Sequence, residues 1–366
     1  MNFTRDIIKW YDQNKRDLPF RNSKDPYVIW VSEIILQQTR VNQGLSYYNS
    51  FIKRFPDIFE LSSAGEQEVL KLWQGMGYYN RARNMLQTAR EIVAAHKGHF
   101  PGTLEELLKL KGIGPYTANA IASLAFNIPV PAIDGNVQRV IARIFGLESP
   151  IESAYTRNKT LEILQGLIDP SHPGLFNQAM IEFGALYCRP KNPDCQHCIF
   201  RNNCIAYKTD RVNFLPVKKK MPPLADRYFN YLVILSKEGQ SWNVVLNQRR
   251  KDDIWRNLYD FPMIETKRSL TSTGLRRSVQ WRKMSGLTGA TIILETTVLR
   301  YALSHQRLMA RFIVLESDNF DATSFLKVPV TAIHEYPVPR PVEKFLEEYW
   351  QKIFFTRPGI LSNFPD

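Results

Sequence analysis

At 366 residues, 44% of them apolar or aromatic, the chain can bury a sizeable core in about two or three domains, and its composition is that of an ordinary globular protein. Its 48 Lys and Arg outnumber 35 Asp and Glu, for a formal charge of +13, which implies a polyanionic partner without separating DNA from RNA or a membrane surface. No apolar run approaches the ~20 residues that span a bilayer, and the opening MNFTRDIIKWYDQNKRDLPF interleaves charge with apolar residues, so a soluble, intracellular protein is expected.

From residue 1 to about 206 the pattern is helical, with apolar residues three and four apart between Gly and Pro breaks. PYVIWVSEIILQQTRV reads as a helix apolar almost all round, carrying the single carboxylate Glu33 among Ile29, Trp30, Val31, Ile34, Ile35 and Leu36. Burial raises such a carboxyl toward the range of a general acid; a glutamate at the rim of a core helix is the plainer alternative. PGTLEELLKLKGIGPYTANAIASLAF predicts two helices, the first capped by Thr103 with Glu106 as its capping-box partner, the second opened by Pro115. Between them, Gly112 and Gly114 permit positive φ and leave N–H groups bare beside a helix N-terminus, a site for phosphate, with Ile113 as core anchor. An ordinary helix-turn-helix corner has the same pattern.

Asp134 stands before the helix bearing Val137, Val140, Ile141 and Ile144, so it either caps that helix or pairs with Glu33. Breaking a glycosidic bond calls for an acid on the leaving group and a carboxylate beside the oxocarbenium-like sugar. Cys188, Cys195, Cys198 and Cys204, separated by six, two and five residues, are the chain's four cysteines and suit metal or cluster ligation. Ligand count does not choose between zinc and an iron-sulfur cluster. TDRVNFLPVKKKMPPLADR reads as a linker, and beyond it YFNYLVILS, WNVVLNQRR and LMARFIVLES read as strands, followed by the amphipathic helix PVEKFLEEYWQKIF.

In order along the chain, WVSEIILQQTRV, GMGYYNRARN, GIGPYTA, IDGNVQRV and the four-cysteine run resemble the signature segments of the adenine DNA glycosylases, the MutY family within the helix-hairpin-helix glycosylases. The resemblance covers residues 1–206 and, more loosely, the second domain. It implies an all-α helix-hairpin-helix domain over 1–206 with one 4Fe-4S cluster held by Cys188, Cys195, Cys198 and Cys204 in the loop 188–204, a linker 207–226, an α+β Nudix-like lesion-recognition domain 227–355 and a tail 356–366. Bifunctional members carry a nucleophilic lysine two residues after the hairpin's second glycine; here Tyr116 stands there, so no Schiff base forms and a monofunctional enzyme is implied. By the same resemblance Glu33 protonates adenine and later activates water, Asp134 stabilises or traps the sugar cation, and Tyr116 and Asn136 assist.

Base flipping needs wedge residues, and the family's QQT and GYY segments put Gln38, Thr39, Met76 and Tyr78 in that role. Arg21, Gln178 and Glu182 match the adenine pocket, with Phe20 where the family has tryptophan. Ser304 and His305 match the loop that reads 8-oxoguanine, with Leu303 replacing phenylalanine. Gly-x5-Glu followed by Arg-Glu-x2-Glu-Glu is absent, so pyrophosphate hydrolysis is not expected. The expected enzyme is a monomeric, cytoplasmic, nucleoid-associated base-excision glycosylase acting on double-stranded DNA with A:8-oxoguanine or A:G mispairs. A thymine or uracil mismatch glycosylase and a non-catalytic lesion-DNA-binding protein stay open as alternatives.

Overall fold

The computed structural model describes residues 2–37, 39, 41–219, 222–284, 287 and 289–355. The chain forms two compact units, Met1–Ala64 with Asn84–Met221, and Gly65–Arg83 with Pro222–Asp366. The first is helical. In the helix Gly135–Phe145 the apolar spacing sends Val137, Val140, Ile141 and Ile144 into one core with Phe3, Ile7, Trp10 and Tyr11 of Phe3–Asn14 and Phe176, Met180 and Phe183 of Pro173–Leu186. Phe200 and Cys204, from the cysteine loop, belong to the same core. Each such side chain contributes about 1.5–3 kcal/mol through removal from water.

The hairpin forms as its glycines foretell, between helices Leu104–Lys109 and Pro115–Ala125, with Ile113 buried at the turn. Only one glycine uses left-handed backbone: Gly112 has φ +79°, and a Cβ there would lie 2.7 Å from the Asn84 Cβ. Gly114 has φ −86° with open space where a Cβ would point, so its role is to leave the N-terminus of the second helix bare. The capping box is half formed. Thr103 Oγ1 accepts from the Glu106 amide at 3.3 Å, but its hydroxyl donates to the Glu106 carboxylate at 2.8 Å, and that carboxylate is the one the box would have sent to the cap's own amide.

The segment expected to be a linker is partly packed. Leu215 is buried in the helical unit's core, and Val217 O accepts from the Ile151 amide at 3.0 Å. Burial of an apolar side chain of that size, with the backbone hydrogen bond, offsets part of the entropy lost in ordering the segment. A second difference concerns residues 65–83, which sequence assigns to the helical domain. They fold with the C-terminal unit because their polar side chains find partners there: Lys71 Nζ donates to Tyr336 O at 3.2 Å, Gln74 Nε2 to Glu343 at 3.1 Å, and Gln74 Oε1 accepts from the Val338 amide at 3.2 Å.

The second unit is a mixed sheet of β1 (Ala225–Glu238), β2 (Ser241–Gln248), β3 (Tyr259–Asp260), β4 (Met263–Thr266), β5 (Thr291–Glu295), β6 (Leu299–Ala302), β7 (Gln306–Glu316) and β8 (Leu326–Pro329). Strands β1 and β7 pair in parallel, from Ala225 opposite Gln306 to Leu235 opposite Glu316, and the remaining pairs are antiparallel. Both faces of β1 are covered. Phe229, Tyr231 and Val233 meet Phe312, Phe345 and Trp350, while Leu232 and Ile234 meet Leu275 and Trp281. Hence YLVIL reads as a continuous apolar run rather than an alternation. The closing helix is Arg340–Phe345, a π-helical turn Leu346–Trp350 and Gln351–Phe355. No helix among the described residues is long and apolar enough to cross a membrane.

The Phe312 ring stacks on Phe345 at 4.4 Å and on Tyr231 at 4.9 Å between centroids. Phe312→Ala is therefore expected to cost the second unit about 3–5 kcal/mol, read as a lower urea midpoint.

Candidate active site

Glu33 stands near the end of helix Pro26–Leu36, which packs on helix Pro115–Ala125; Gln37 Nε2 donates to Thr117 Oγ1 across that contact at 2.9 Å. Burial pushes the Glu33 carboxyl up, a hydrogen bond from Tyr116 lowers it, and the charge of Asp134 raises it, leaving it at about 7. The Tyr116 hydroxyl is held well above its ordinary pKa by burial and by the same two carboxylates, so it is a neutral donor. Glu33, Tyr116 and Asp134 thus form one interacting group drawn from three segments of chain.

Asp134 caps its helix and acts electrostatically on Glu33. Its Oδ1 caps helix Gly135–Phe145 by accepting from the Val137 amide at 2.8 Å, and its Oδ2 accepts from Asn136 Nδ2 at 2.7 Å. Burial raises its pKa, while those hydrogen bonds and Arg139 lower it. Asn136 is itself held. Its Oδ1 accepts from Arg139 Nη2 at 2.8 Å, and a Cβ at Gly184 would lie 2.6 Å from the Asn136 Cβ, so only glycine fits against it. Arg139 also donates to Gly184 O and to Cys188 O, each at 2.8 Å.

One helical turn on, Arg143 Nη1 lies 3.4 Å from Cys188 Sγ and donates to Arg189 O at 2.7 Å, while its Nε donates to Leu215 O at 2.9 Å. Cys188, Cys195, Cys198 and Cys204 are all free thiols. Burial pushes up Cys195, Cys204 and Cys198, the last to about 12, and the neighbouring cysteines push in the same direction. Cys188 is thus reached by Arg143, while Cys204 is buried in the helical core. His197 pairs with Asp194 at 3.0 Å, as suits a bystander.

Arg21, Gln178 and Glu182 also come together. Glu182, 1% exposed, accepts from Arg16 Nε at 2.9 Å and Nη2 at 2.7 Å, and from Arg21 Nη1 at 3.0 Å and Nη2 at 2.9 Å. Burial would raise its carboxyl, yet those donors outweigh it and hold the group at about 2. Gln178 accepts from the Tyr11 hydroxyl at 2.8 Å, and the Arg21 guanidinium lies over the Tyr11 ring at 5.3 Å with its buried Nε unpartnered. Phe20 meets Tyr48 edge-on at 5.2 Å.

The expected readers of the base pair fall differently. Gln38 lies outside the described residues, and Thr39 Oγ1 donates to Gln37 O at 3.3 Å. Met76 and Tyr78 sit in a turn with positive φ at Gly75, Gly77 and Tyr78, and the exposed Tyr78 hydroxyl hydrogen-bonds Ser304 Oγ within the second unit. His305, next in the chain, is exposed. The open groove lined by Asn2, Arg5, Asp12 and Asp169 holds none of these residues.

Residues 31–166 match the HhH-GPD superfamily of base excision DNA repair proteins, and residues 230–348 match the NUDIX domain. The adenine DNA glycosylase of Buchnera aphidicola subsp. Schizaphis graminum is 32% identical over 94% of this chain and 98% of its own length. The chain belongs to the adenine DNA glycosylase family. The adenine DNA glycosylase of Mus musculus is 41% identical over 56% of this chain and 42% of its own length. Among solved structures, a thermostable thymine-DNA glycosylase superposes with a TM-score of 0.53 at 29% identity, covering 57% of this chain and 95% of that one. This glycosylase is thus a hydrolase of N-glycosyl bonds in base excision repair, with a helix-hairpin-helix unit followed by a Nudix-like unit.

Sequence reading missed Arg16, Arg139 and Gly184 in the glycosylase. The signal for Arg139 was present: arginines at 139 and 143 lie four apart among Val137, Val140, Ile141 and Ile144, a spacing that buries two cations and obliges both to find acceptors.

The raised Glu33 carboxyl has a thermodynamic consequence. Between its ordinary 4.5 and about 7, the unfolded chain gives up this proton before the folded one, so stability falls as pH rises through that window. Glu33→Gln removes the loss. Thermal melts at pH 8 are expected to rank the variant above the parent, the gap closing as pH falls toward 4.5; a gap independent of pH would remove the buried-acid account.

Proposed function

We propose that the protein excises adenine mispaired with 8-oxoguanine or guanine in double-stranded DNA, as a monofunctional, monomeric glycosylase of the bacterial cytoplasm and nucleoid. The reading rests on the carboxyl of Glu33, held at about 7 beside Asp134 and Tyr116. Residues 1–206 supply the excision chemistry and 227–355 the recognition of the opposite base, joined through 207–226. The length of the Buchnera relative's match, which includes the second unit, favours adenine over thymine or uracil as the excised base.

Adenine leaves as a neutral base only when protonated. Glu33 gives its proton to a ring nitrogen, the bond from the base nitrogen to C1′ breaks with its electron pair going to the base, and positive charge develops on the sugar. Asp134, oriented through Asn136 and the Val137 amide, presents a carboxylate to that charge. Glu33, now ionised, takes a proton from the water that attacks C1′. Tyr116 holds the Glu33 carboxyl in place through its hydrogen bond and brings no amine, so no Schiff base forms at this position. Gln38, Thr39, Met76 and Tyr78 fill the gap left by the flipped nucleotide, Arg21, Gln178 and Glu182 line the base pocket, Gly112 and Gly114 hold phosphate, and Ser304 and His305 read the opposite base.

Cys188, Cys195, Cys198 and Cys204 are the ligands of one 4Fe-4S cluster in this reading. The donor set fits: four free thiols lie within one short loop, with Cys204 in the helical core and Cys188 and Cys198 packed against it. Among the described residues no three His, Cys, Asp or Glu side chains are gathered to ligate a single metal ion, a closeness that a cluster binding each thiolate through a separate iron does not require. When bound, the cluster cross-links the loop 188–204 and so secures the carbonyl of Cys188 that receives Arg139.

Two measurements test these assignments. Glu33→Gln is expected to bind an A:8-oxoguanine duplex as the parent does while excising about 10²–10⁴-fold more slowly; the parent's own rate falls as pH rises past about 7, and strands break only after alkali. Normal turnover by the variant sinks the assignment. The purified protein is expected to be brown, with four irons per chain, and Cys198→Ser to lose the colour; a colourless zinc protein overturns the cluster.

A further inference from the structure

Between Glu265 and Glu295 the chain has six cations, Lys267, Arg268, Arg276, Arg277, Arg282 and Lys283, and no Asp or Glu. The helices Ser272–Arg276 and Val279–Lys283 in this stretch are capped by Thr271 and Ser278 and anchored by Leu275 and Trp281, which are buried under the sheet with Leu232, Ile234 and Ile313. That anchoring fixes which side chains turn outward. All six cations are exposed, and among the described residues none of them is in an ion pair.

Other exposed cations of the same unit, such as Lys237, Arg250 and Arg300, are also in no ion pair among the described residues, but no other stretch of the unit free of Asp and Glu holds six cations, and several arginines and lysines there are paired. Arg227 pairs with Asp253 and Glu265, Arg249 with Asp253 and Asp260, Arg307 with Asp226, Arg311 with Glu295 and Lys327 with Glu238. Like charges crowded on one surface repel and lower stability, and a few acidic residues among them would remove that cost. None is present, and Val279, on the second of the two helices, is exposed as well. The spread of cations over two short helices and the preceding loop suits a polyanion with regularly spaced charges better than one small ligand.

We propose that the surface carrying these six cations is a second, sequence-independent DNA-binding face of the protein, which grips backbone phosphates of the duplex through charge alone. The proposal rests on the reading that duplex DNA is the substrate, and it adds phosphate contacts made by the Nudix-like unit itself. It gives a unit lacking the acidic metal motif of Nudix hydrolases a use for charge of the opposite sign. Because phosphate contacts carry no sequence information, this face adds affinity for any duplex and leaves the choice of base to other residues.

The test uses the full chain with all six cations changed to glutamine, and a companion in which the four arginines become lysine. Affinity for an undamaged duplex is measured from about 50 to 200 mM salt, where each lost phosphate contact reduces the slope of log K against log salt by about 0.9. The glutamine variant is expected to bind at least about tenfold more weakly at low salt, with a slope reduced by about 2 or more. Its melting temperature should match or exceed the parent's, and its excision rate at saturating substrate should be unchanged. The lysine companion is expected to keep the parental slope, since a point charge suffices for phosphate. An unchanged slope in the glutamine variant overturns the proposal, as does loss of slope in the lysine companion. Weakened binding to anionic vesicles without any change on duplex DNA assigns the face to membrane and equally overturns it. The assay uses undamaged DNA, so failure of adenine excision leaves its reading intact.

Discussion

Arg139 is 9% exposed, and a buried cation of that kind persists only where its donors are answered. Its partners are Asn136 Oδ1, Gly184 O and Cys188 O, with Gly135 O at 3.4 Å. That one requirement joins the residue that orients Asp134, the helix Pro173–Leu186 and the first cysteine of the loop into a single arrangement. Gly184 belongs to the same constraint, since any Cβ there would collide with Asn136. Loss of Arg139 would leave several carbonyls and one amide oxygen unanswered together, at a cost of about 1–3 kcal/mol for each buried group.

Three buried carboxyls show how surroundings, not residue type, set protonation. Glu33 has one hydrogen-bond donor and an acidic neighbour, so burial prevails and the group sits at about 7. Glu182 is at least as deeply placed, yet two arginines and a backbone amide supply five donors and hold it at about 2. Asp260, fully buried in the second unit, has Arg249 and Asn247 as donors and comes to about 6, burial again outweighing them. A site for proton transfer near neutral pH thus requires the withholding of donors, which is destabilising, whereas a structural carboxylate is surrounded by them.

The GMGYY turn illustrates how chain order and compact structure part company. Tyr78 and Ser304, 226 positions apart, are hydrogen-bonded inside one unit, because residues 65–83 satisfy their polar groups against the segment Tyr336–Glu343 and the loop before β3. Tyr78 and Ser304 are therefore carried by the same unit, although GMGYY precedes the hairpin at Gly112 and Gly114 in the chain and LSHQ follows it.

Much was legible from sequence by itself. The helical periodicity around Val137 and Val140, the hairpin at Gly112 and Gly114, the strand texture of β1, β2 and β7 and the four-cysteine run all depend on local rules: side-chain period, cap chemistry and ligand spacing. Glu33 stood out because a lone carboxylate in an apolar helix is locally anomalous. Only tertiary structure decided that Asp134 both caps its helix and shares a site with Glu33, that Arg16 joins Arg21 on Glu182, that Arg139 reaches Cys188, that Leu215 buries part of the expected linker, and that residues 65–83 belong with the second unit. The physical reason is common to these cases. Local patterns record how a residue meets its neighbours in the chain, whereas the partner of a buried charge and the pKa of a carboxyl are set by groups that only folding brings within hydrogen-bond reach.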